Sequence, residues 1–436
     1  MKDLTRQIFA HALAEASIGR AFDRHVELER GGVLRIGEDL FDLNSYSRRF
    51  VVAIGKAANT MVEALAAKTG EMFEGIVASS VPPEQQARGY RYFLAGHPTP
   101  NADSVLAAEA VLRALRTLDQ NSLVVFLISG GGSSILEKPI DDEISLADLI
   151  ATYRALVLCG APIAEINAVR KHLSAVKGGR LAQAASGAQL VSLLVSDVPD
   201  ATPDALASGP TMPDSTSVED CRRIVEKHGL LPQFPSSVRE LFERDALEET
   251  PKSDDPAFVR SRWCTILSNK TAVDASAAEA ARLGFAVTID NSCDDWDYDR
   301  AAEYLVGRVR ELRQSKSGQS NPRVCLISGG EVTVKVTGES GVGGRNQQFA
   351  LACAQRITGE NITVLSAGTD GIDGNSPAAG AVVDGTTVAR AEASRLNVAR
   401  SLCRFDAYQL FQTLDDAVVT GPTGNNVRDL RILLGN

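Results

Sequence analysis

The sequence predicts an α/β protein of doubly wound architecture. Three observations carry this. Short apolar runs alternate with longer helical patterns along the chain. The runs are apolar nearly throughout rather than alternating, as parallel strands buried on both faces should be. Alanine is abundant while aromatic residues make up only 5% of the chain, which suits helices packed on sheets.

The clearest strands are 50–54, 123–128, 190–195, 264–267, 323–327 and 362–365, each bounded by Gly, Ser, Asp or Asn. Between them, helical periodicity is read over 58–68, 104–118, 145–158, 271–283, 301–312 and 347–357. The 436 residues are enough for two or three domains. Composition breaks near 231–262, where LPQFPSS and ERDALEETPKSDDP are rich in proline and charge. A boundary is placed there, giving domains 1–245 and 246–436; the alternative is a surface helix and loop inside one domain. The pentapeptide LISGG at 127–131 recurs at 326–330, the same strand-to-turn solution used once in each half.

Bulk properties exclude several classes. The net charge is −10 and no basic stripe is found, which argues against a nucleic-acid partner. No apolar run approaches 18 residues, so no membrane span is expected. Seven scattered cysteines form no CxxC pair, which argues against zinc. Their odd number, with no secretory leader, leads to the expectation of reduced thiols and a cytoplasmic location. A homodimer is left open.

Six strands end in a small or polar turn: IGKAA (54–58), ISGGGSS (128–134), VSDVPD (195–200), LSNKTA (267–272), ISGGEVT (327–333) and LSAGTDGIDG (365–374). In open α/β sheets, ligands bind beyond the carboxyl ends of strands. Ser129, Gly130, Gly131, Gly132, Ser133 and Ser134 make the best phosphate cradle, because glycines let backbone N–H groups approach oxygens and serines add hydroxyl donors. The alternative is a tight turn that binds nothing. No GxxxxGK[ST] loop occurs, and no GxGxxG fits, since Ile135 stands where the last glycine belongs. GxSxG is also absent.

Lys56 follows Gly55 directly after a strand, where its ammonium points into the crevice rather than off a helix face. Arg345 lies among Gly338, Gly341, Gly343 and Gly344, a loop expected to present one guanidinium fork to a carboxylate or phosphate; a surface arginine is the alternative. Asp197, Asp370 and Asp373 sit in strand-end turns. Such carboxylates suit Mg²⁺ or a hydroxyl proton, although Asp-Gly is also plain turn chemistry. His97 in AGHPTPN is read as a pocket residue or a structural histidine. Lys171, His172, Lys177 and Arg180 form either an anion wall or a solvated face.

Taken together, nine stretches resemble the class II glycerate 2-kinase family, whose C-terminal region is called the MOFRL domain. They are VVAIGKAA, AGHPTPNADS, LISGGGSS, INAVRKHLSAVKGGRLA, SDVPD with ASGPTMPDST, LSNKTAVDAS, LISGGEVTVKVTGESGVGGRNQQFALA, SAGTDGIDGNSPAAGAVVDG and TGPTGNNVRDL, spread in order over nearly the whole chain. The resemblance implies a Rossmann-like N-terminal domain, a second α/β domain and a cleft between them. It implies phosphorylation of D-glycerate at its 2-hydroxyl by ATP with Mg²⁺, giving 2-phosphoglycerate. Lys56 and Arg345 match the family's proposed catalytic pair. Two departures stand out. Family members commonly read SDVPGDD, whereas Asp200, Ala201 and Thr202 stand here, so no metal role is carried onto that later segment, while Asp197 is retained. Asn425 stands where threonine is usual.

The expected site follows. Lys56, Arg345 and Asp197 are catalytic; residues 129–134 and Asn269 hold ATP; His97, Gly330, Glu331 and Asp370 hold D-glycerate; Asp197 and Asp373 face the metal. Two rivals remain: an NAD(P)H-dependent hydroxypyruvate reductase, a name some relatives carry, and a non-catalytic sugar-acid-binding protein.

Overall fold

The structure, a computed structural model, describes residues 1–315, 323–336 and 338–436. Thr337, inside the matched stretch 326–352, lies outside the described residues. The chain forms two compact units, Phe22–Ile266 and Met1–Ala21 with Leu267–Asn436. This division differs from the linear boundary expected at 245/246. The first 21 residues belong with the C-terminal unit. The segment near 231–262 packs inside the unit Phe22–Ile266: Val238 is fully buried and Thr250 donates to Asp214 at 2.9 Å. Its prolines and charges mark a surface helix and loop rather than a linker.

The unit Phe22–Ile266 begins with three short strands, β1 (Val26–Glu29), β2 (Val33–Ile36) and β3 (Asp39–Asp42), in an antiparallel meander. Its main sheet holds β4 (Arg48–Ile54), β5 (Glu74–Ser79), β6 (Tyr90–Leu94), β7 (Ser122–Ser129), β8 (Gln189–Val195) and β9 (Ser261–Leu267), in the order β6-β5-β4-β7-β8-β9. From β6 to β8 every pairing is parallel. Central β7 is buried at all eight positions, as its unbroken apolar run predicts. Edge strand β9 is largely exposed at 262–265. Helix Ala102–Leu115 starts where Asn101 accepts from the backbone of Ser104 at 3.0 Å, a capping box that fixes the chain just after His97. Because five strands run the same way, their carboxyl ends share one sheet edge, and the turns after β4, β6, β7 and β8 meet there.

The second unit holds β10 (Ala286–Ile289), β11 (Val324–Gly329), β12 (Ile362–Gly368), β13 (Gly380–Asp384), β14 (Ala417–Val418) and β15 (Asp429–Gly435), ordered β10-β11-β15-β12-β13-β14. Here the expectation of parallel strands holds only for β10 with β11. The C-terminal strand β15 inserts antiparallel between β11 and β12 and is buried at every position, Arg431 included. Helix Lys2–Glu15 lays Ile8, Phe9 and Ala12 on one face of this sheet, in one core with Ile432 and Leu434. Helices Tyr298–Ser315 and Arg345–Arg356 share a core with the other face.

Candidate functional site

In the unit Phe22–Ile266, two turns are stitched together. Gly55 has φ 120°, and a Cβ there would fall 2.3 Å from Ser129 Oγ. That close approach lets Ala57 donate its N–H to Ser129 Oγ at 3.0 Å, and Lys56 donate its N–H to Gly130 O, also at 3.0 Å. The Lys56 side chain emerges exposed, and its ammonium makes no ion pair among the described residues.

The three glycines after β7 turn out to serve their neighbours. A Cβ on Gly130 would lie 2.0 Å from Asp197 Oδ2; one on Gly131 would meet His97 Cδ2 at 3.0 Å and Lys56 Cγ at 3.1 Å; one on Gly132 would meet Ala207 Cβ at 2.6 Å. Gly131 also has φ 82°, the left-handed region that other residues enter only with strain. The turn is therefore where Asp197, His97 and Lys56 converge on backbone. Gly132 and Ser133 open the single helical turn Gly132–Ile135, so their N–H groups have no acceptor inside it. Ser134 Oγ donates to Gly131 O at 3.2 Å, and the Ser133 and Ser208 hydroxyls lie 2.8 Å apart. Burial first, and the nearby Lys56 charge second, hold the His97 imidazole below its ordinary 6.5. A cavity of about 620 Å³ opens beside Gly131, Ser133 and Ser134.

The other unit gathers Asn269, Gly330, Glu331, Arg345, Asp370 and Asp373, and here the expectations need correction. Arg345 does not hang in a free loop. It is the first residue of helix Arg345–Arg356, doubly bonded to Asp429 at 2.6 and 3.0 Å and paired with Glu331 at 2.8 Å. Burial would lower this guanidinium, but Asp429 and then Glu331 hold it raised. Asn269 is not a free nucleotide contact. Its amide donates to Val427 O at 2.7 Å and Asp429 O at 3.0 Å, while its oxygen accepts from Gly330 N at 3.0 Å. It clasps two turns together. Asp373 is not a free metal ligand. Its carboxylate accepts from the backbone of Asn346 at 3.1 Å and Gln347 at 2.9 Å, and from the Gln347 amide at 3.1 Å, so it caps the helix that carries Arg345. Burial pushes Asp373 up to about 6.

Gly330, with φ 93°, sits against Asp294, which accepts from Glu331 N at 3.0 Å and is gripped by Arg428 at 2.6 and 2.8 Å. Asp370 closes its own turn by accepting from Ile372 N at 3.0 Å. Glu331, Arg345, Asp370, Asp373 and Asp295 border a cavity of about 570 Å³. No group of three or more metal-ligating side chains gathers among the described residues.

Lys171, His172, Lys177 and Arg180 are neither an anion wall nor a solvated face, for all four are buried. Lys171 pairs with Asp204 at 2.9 Å and Asp214 at 3.2 Å, and Lys177 pairs with Glu137. His172 Nδ1 lies 2.8 Å from Ala168 O, and Arg180 donates to Glu248 O at 3.2 Å. Sequence reasoning also missed Asp429, Asp294 and Arg428, which carried no turn signature of their own.

The chain is thus a two-unit α/β protein with close-packed glycine turns at its strand ends. Residues 4–243 match a domain family described as a domain of unknown function (DUF4147), and residues 324–429 match the MOFRL family. The chain is 34% identical to the glycerate 2-kinase of Pyrococcus horikoshii, covering all of this chain and 97% of that protein. It is 36% identical to the D-glycerate 2-kinase of Thermotoga maritima, covering 91% and 93%. It is 38% identical to an Agrobacterium vitis protein named "Putative hydroxypyruvate reductase", covering 89% and 99%. The crystal structure of Thermotoga maritima glycerate kinase superposes with a TM-score of 0.86 at 33% identity, over 100% of this chain and 99% of that one. The chain belongs to the MOFRL-containing glycerate kinase family.

Proposed function

We propose that this chain transfers the terminal phosphate of ATP to the 2-hydroxyl of D-glycerate, giving 2-phosphoglycerate. One observation carries the proposal: Lys56, His97 and Asp197 pack against the backbone of Gly130 and Gly131, beside helix-opening N–H groups that have no acceptor inside their own turn. Phosphoryl transfer asks mainly for positioning and electrostatic stabilisation, and little covalent chemistry. Oriented N–H groups and an unpaired ammonium supply that.

In this reading the phosphates lie along residues 130–134. Lys56 neutralises charge that grows on the transferring group. His97, held neutral, donates or accepts a hydrogen bond without adding charge. Asp197 takes the hydroxyl proton or faces a metal. Mg²⁺ fits a site of this kind, because it binds through substrate phosphates with one or two carboxylates, and Asp197 is the carboxylate at hand. Arg345 acts from within its network, where Asp429 and Glu331 occupy Nε and Nη2, as an anion-binding group of its own unit.

Two assays run side by side test this. Supplied with ATP, Mg²⁺ and D-glycerate, the protein should form ADP and phosphoglycerate in equal amounts. Supplied with NADH or NADPH and hydroxypyruvate, it should oxidise neither cofactor. Reductase activity without ADP formation would overturn the reading. Thermal stabilisation by glycerate with no turnover would replace it with a sugar-acid-binding role.

A further inference from the structure

We propose that the cavity in the unit Phe22–Ile266 seats the nucleotide, and that Arg154 and Arg170 are the cations that receive its anionic part. The inference rests on the kinase reading and adds two binding residues to it.

Arg170 stands out from its surroundings. It lies in the stretch 166–182, where Lys171, Lys177 and Arg180 are buried and engage carboxylates. Arg170 is next in line and makes no ion pair among the described residues. Its Nε is buried without an acceptor, although a buried donor is ordinarily satisfied. Its guanidinium lies 4.9 Å over the Tyr153 ring, and the Tyr153 hydroxyl is anchored to the fully buried Glu137 at 2.8 Å. The fork is thus set in place by stacking, with its donors waiting.

Arg154 borders the same cavity from helix Leu146–Leu158 and also carries no ion pair among the described residues. Among the described residues, no aspartate or glutamate lines the cavity. In a chain with 55 acidic and 45 basic residues, two arginines facing one uncompensated space form an anion receptor.

Shape selects the ligand. At about 620 Å³ the cavity falls in the range of sites for drug-sized ligands, and a three-carbon acid would leave most of it empty. Ile150, Val157 and Leu158 give it an aliphatic wall, and Val157 and Leu158 remain 54% and 74% exposed. Gly131, Ser133 and Ser134 line the same space. A ligand with a flat apolar base and a chain of phosphates meets the wall, the arginines and the turn together.

The test is calorimetric binding of ADP with Mg²⁺ to the full chain, paired with KM for each substrate. Arg170→Gln and Arg154→Gln should each weaken ADP binding at least tenfold. Arg170→Lys should also weaken it, since the charge stays but the fork is lost. Val157→Asp, at an exposed position, guards against misfolding: its melting temperature should match the wild type while ADP binding falls at least tenfold. KM for ATP should rise with these changes and KM for D-glycerate should stay within twofold. ADP binding within twofold of wild type in the folded variants would overturn the proposal. A rise in KM for D-glycerate alone would give the cavity to the acid's carboxylate and also overturn it. If the wild type binds ADP through these residues yet phosphorylates nothing, the seat stands and the kinase reading falls.

Discussion

Replacing Gly130 with alanine asks whether the turn after β7 holds Asp197 where chemistry needs it. The new Cβ would lie 2.0 Å from Asp197 Oδ2 and 2.7 Å from its Cγ. Ordinary contact begins near 3.4 Å, so the carboxylate must retreat by more than about 1 Å. A shift of that size in a positioned group costs about 100-fold in rate. Asp197 is only half-buried, so it can swing aside without opening the core. The stability cost then stays at the low end of overpacking, about 1 kcal/mol, and the melting temperature falls by about 2–4 °C. The assay is ATP-dependent turnover of D-glycerate, with thermal unfolding in parallel. The expected result is a kcat about 100-fold lower in a protein that still melts cooperatively. A Gly130→Ala enzyme with kcat within about threefold of wild type would refute the assignment of Asp197 and the turn.

Three other predictions follow from the same geometry. Lys56→Ala removes an exposed ammonium that makes no ion pair among the described residues, so the melting temperature should hold while kcat falls about 100-fold or more; normal turnover would remove Lys56 from the reaction. His97 should titrate below 6.5 by NMR, and Lys56→Ala should raise its midpoint by removing a repelling charge. The sign is fixed: the folded state sheds this proton more readily than the unfolded chain, so His97 costs stability as pH falls through 6.5 and the folded midpoint. A midpoint at or above 6.5, or one indifferent to Lys56→Ala, contradicts the packing described. Lys177→Ala leaves the fully buried Glu137 without its cation, with the hydroxyls of Ser174 at 2.5 Å and Tyr153 at 2.8 Å still donating to it, and should cost about 3–5 kcal/mol in urea denaturation; a loss under about 1 kcal/mol would show that its remaining hydrogen bonds suffice.

What could be read from the sequence depended on how local the signal was. Strands β4, β7 and β8 announced themselves as apolar runs, because a strand buried on both faces needs no polar alternation. Strand β15 did not, since Arg431 interrupts its run at 429–435. That arginine is buried, donates to Gly329 O at 2.7 Å and lies over the Phe349 ring, all partners distant in sequence. The turns after β4 and β7 were legible as site elements because small residues after an apolar run leave few other readings. Why the glycines are there was not legible. Asp197, His97 and Ala207 fill the space of their missing side chains from 67, 34 and 75 residues away. Asn269 failed for a related reason: LSNKTA resembles the other strand-end turns, and the acceptors of its amide, at Val427 and Asp429, lie at the far end of the chain. Arg345 was located correctly but read as free, because Asp429 stands 84 residues on. Arg154 sat within ordinary helical periodicity, and Arg170, although inside the matched stretch 166–182, was not distinguished from its basic neighbours.

The position of the new phosphate tests the central proposal most directly. Proton-coupled ³¹P NMR of the product formed from ATP, Mg²⁺ and D-glycerate distinguishes a phosphate on a CH carbon from one on a CH₂ carbon. A doublet, the signature of the 2-phosphate, is expected. A triplet from the 3-phosphate, or no phosphorus signal beyond those of ATP and its hydrolysis, would contradict it.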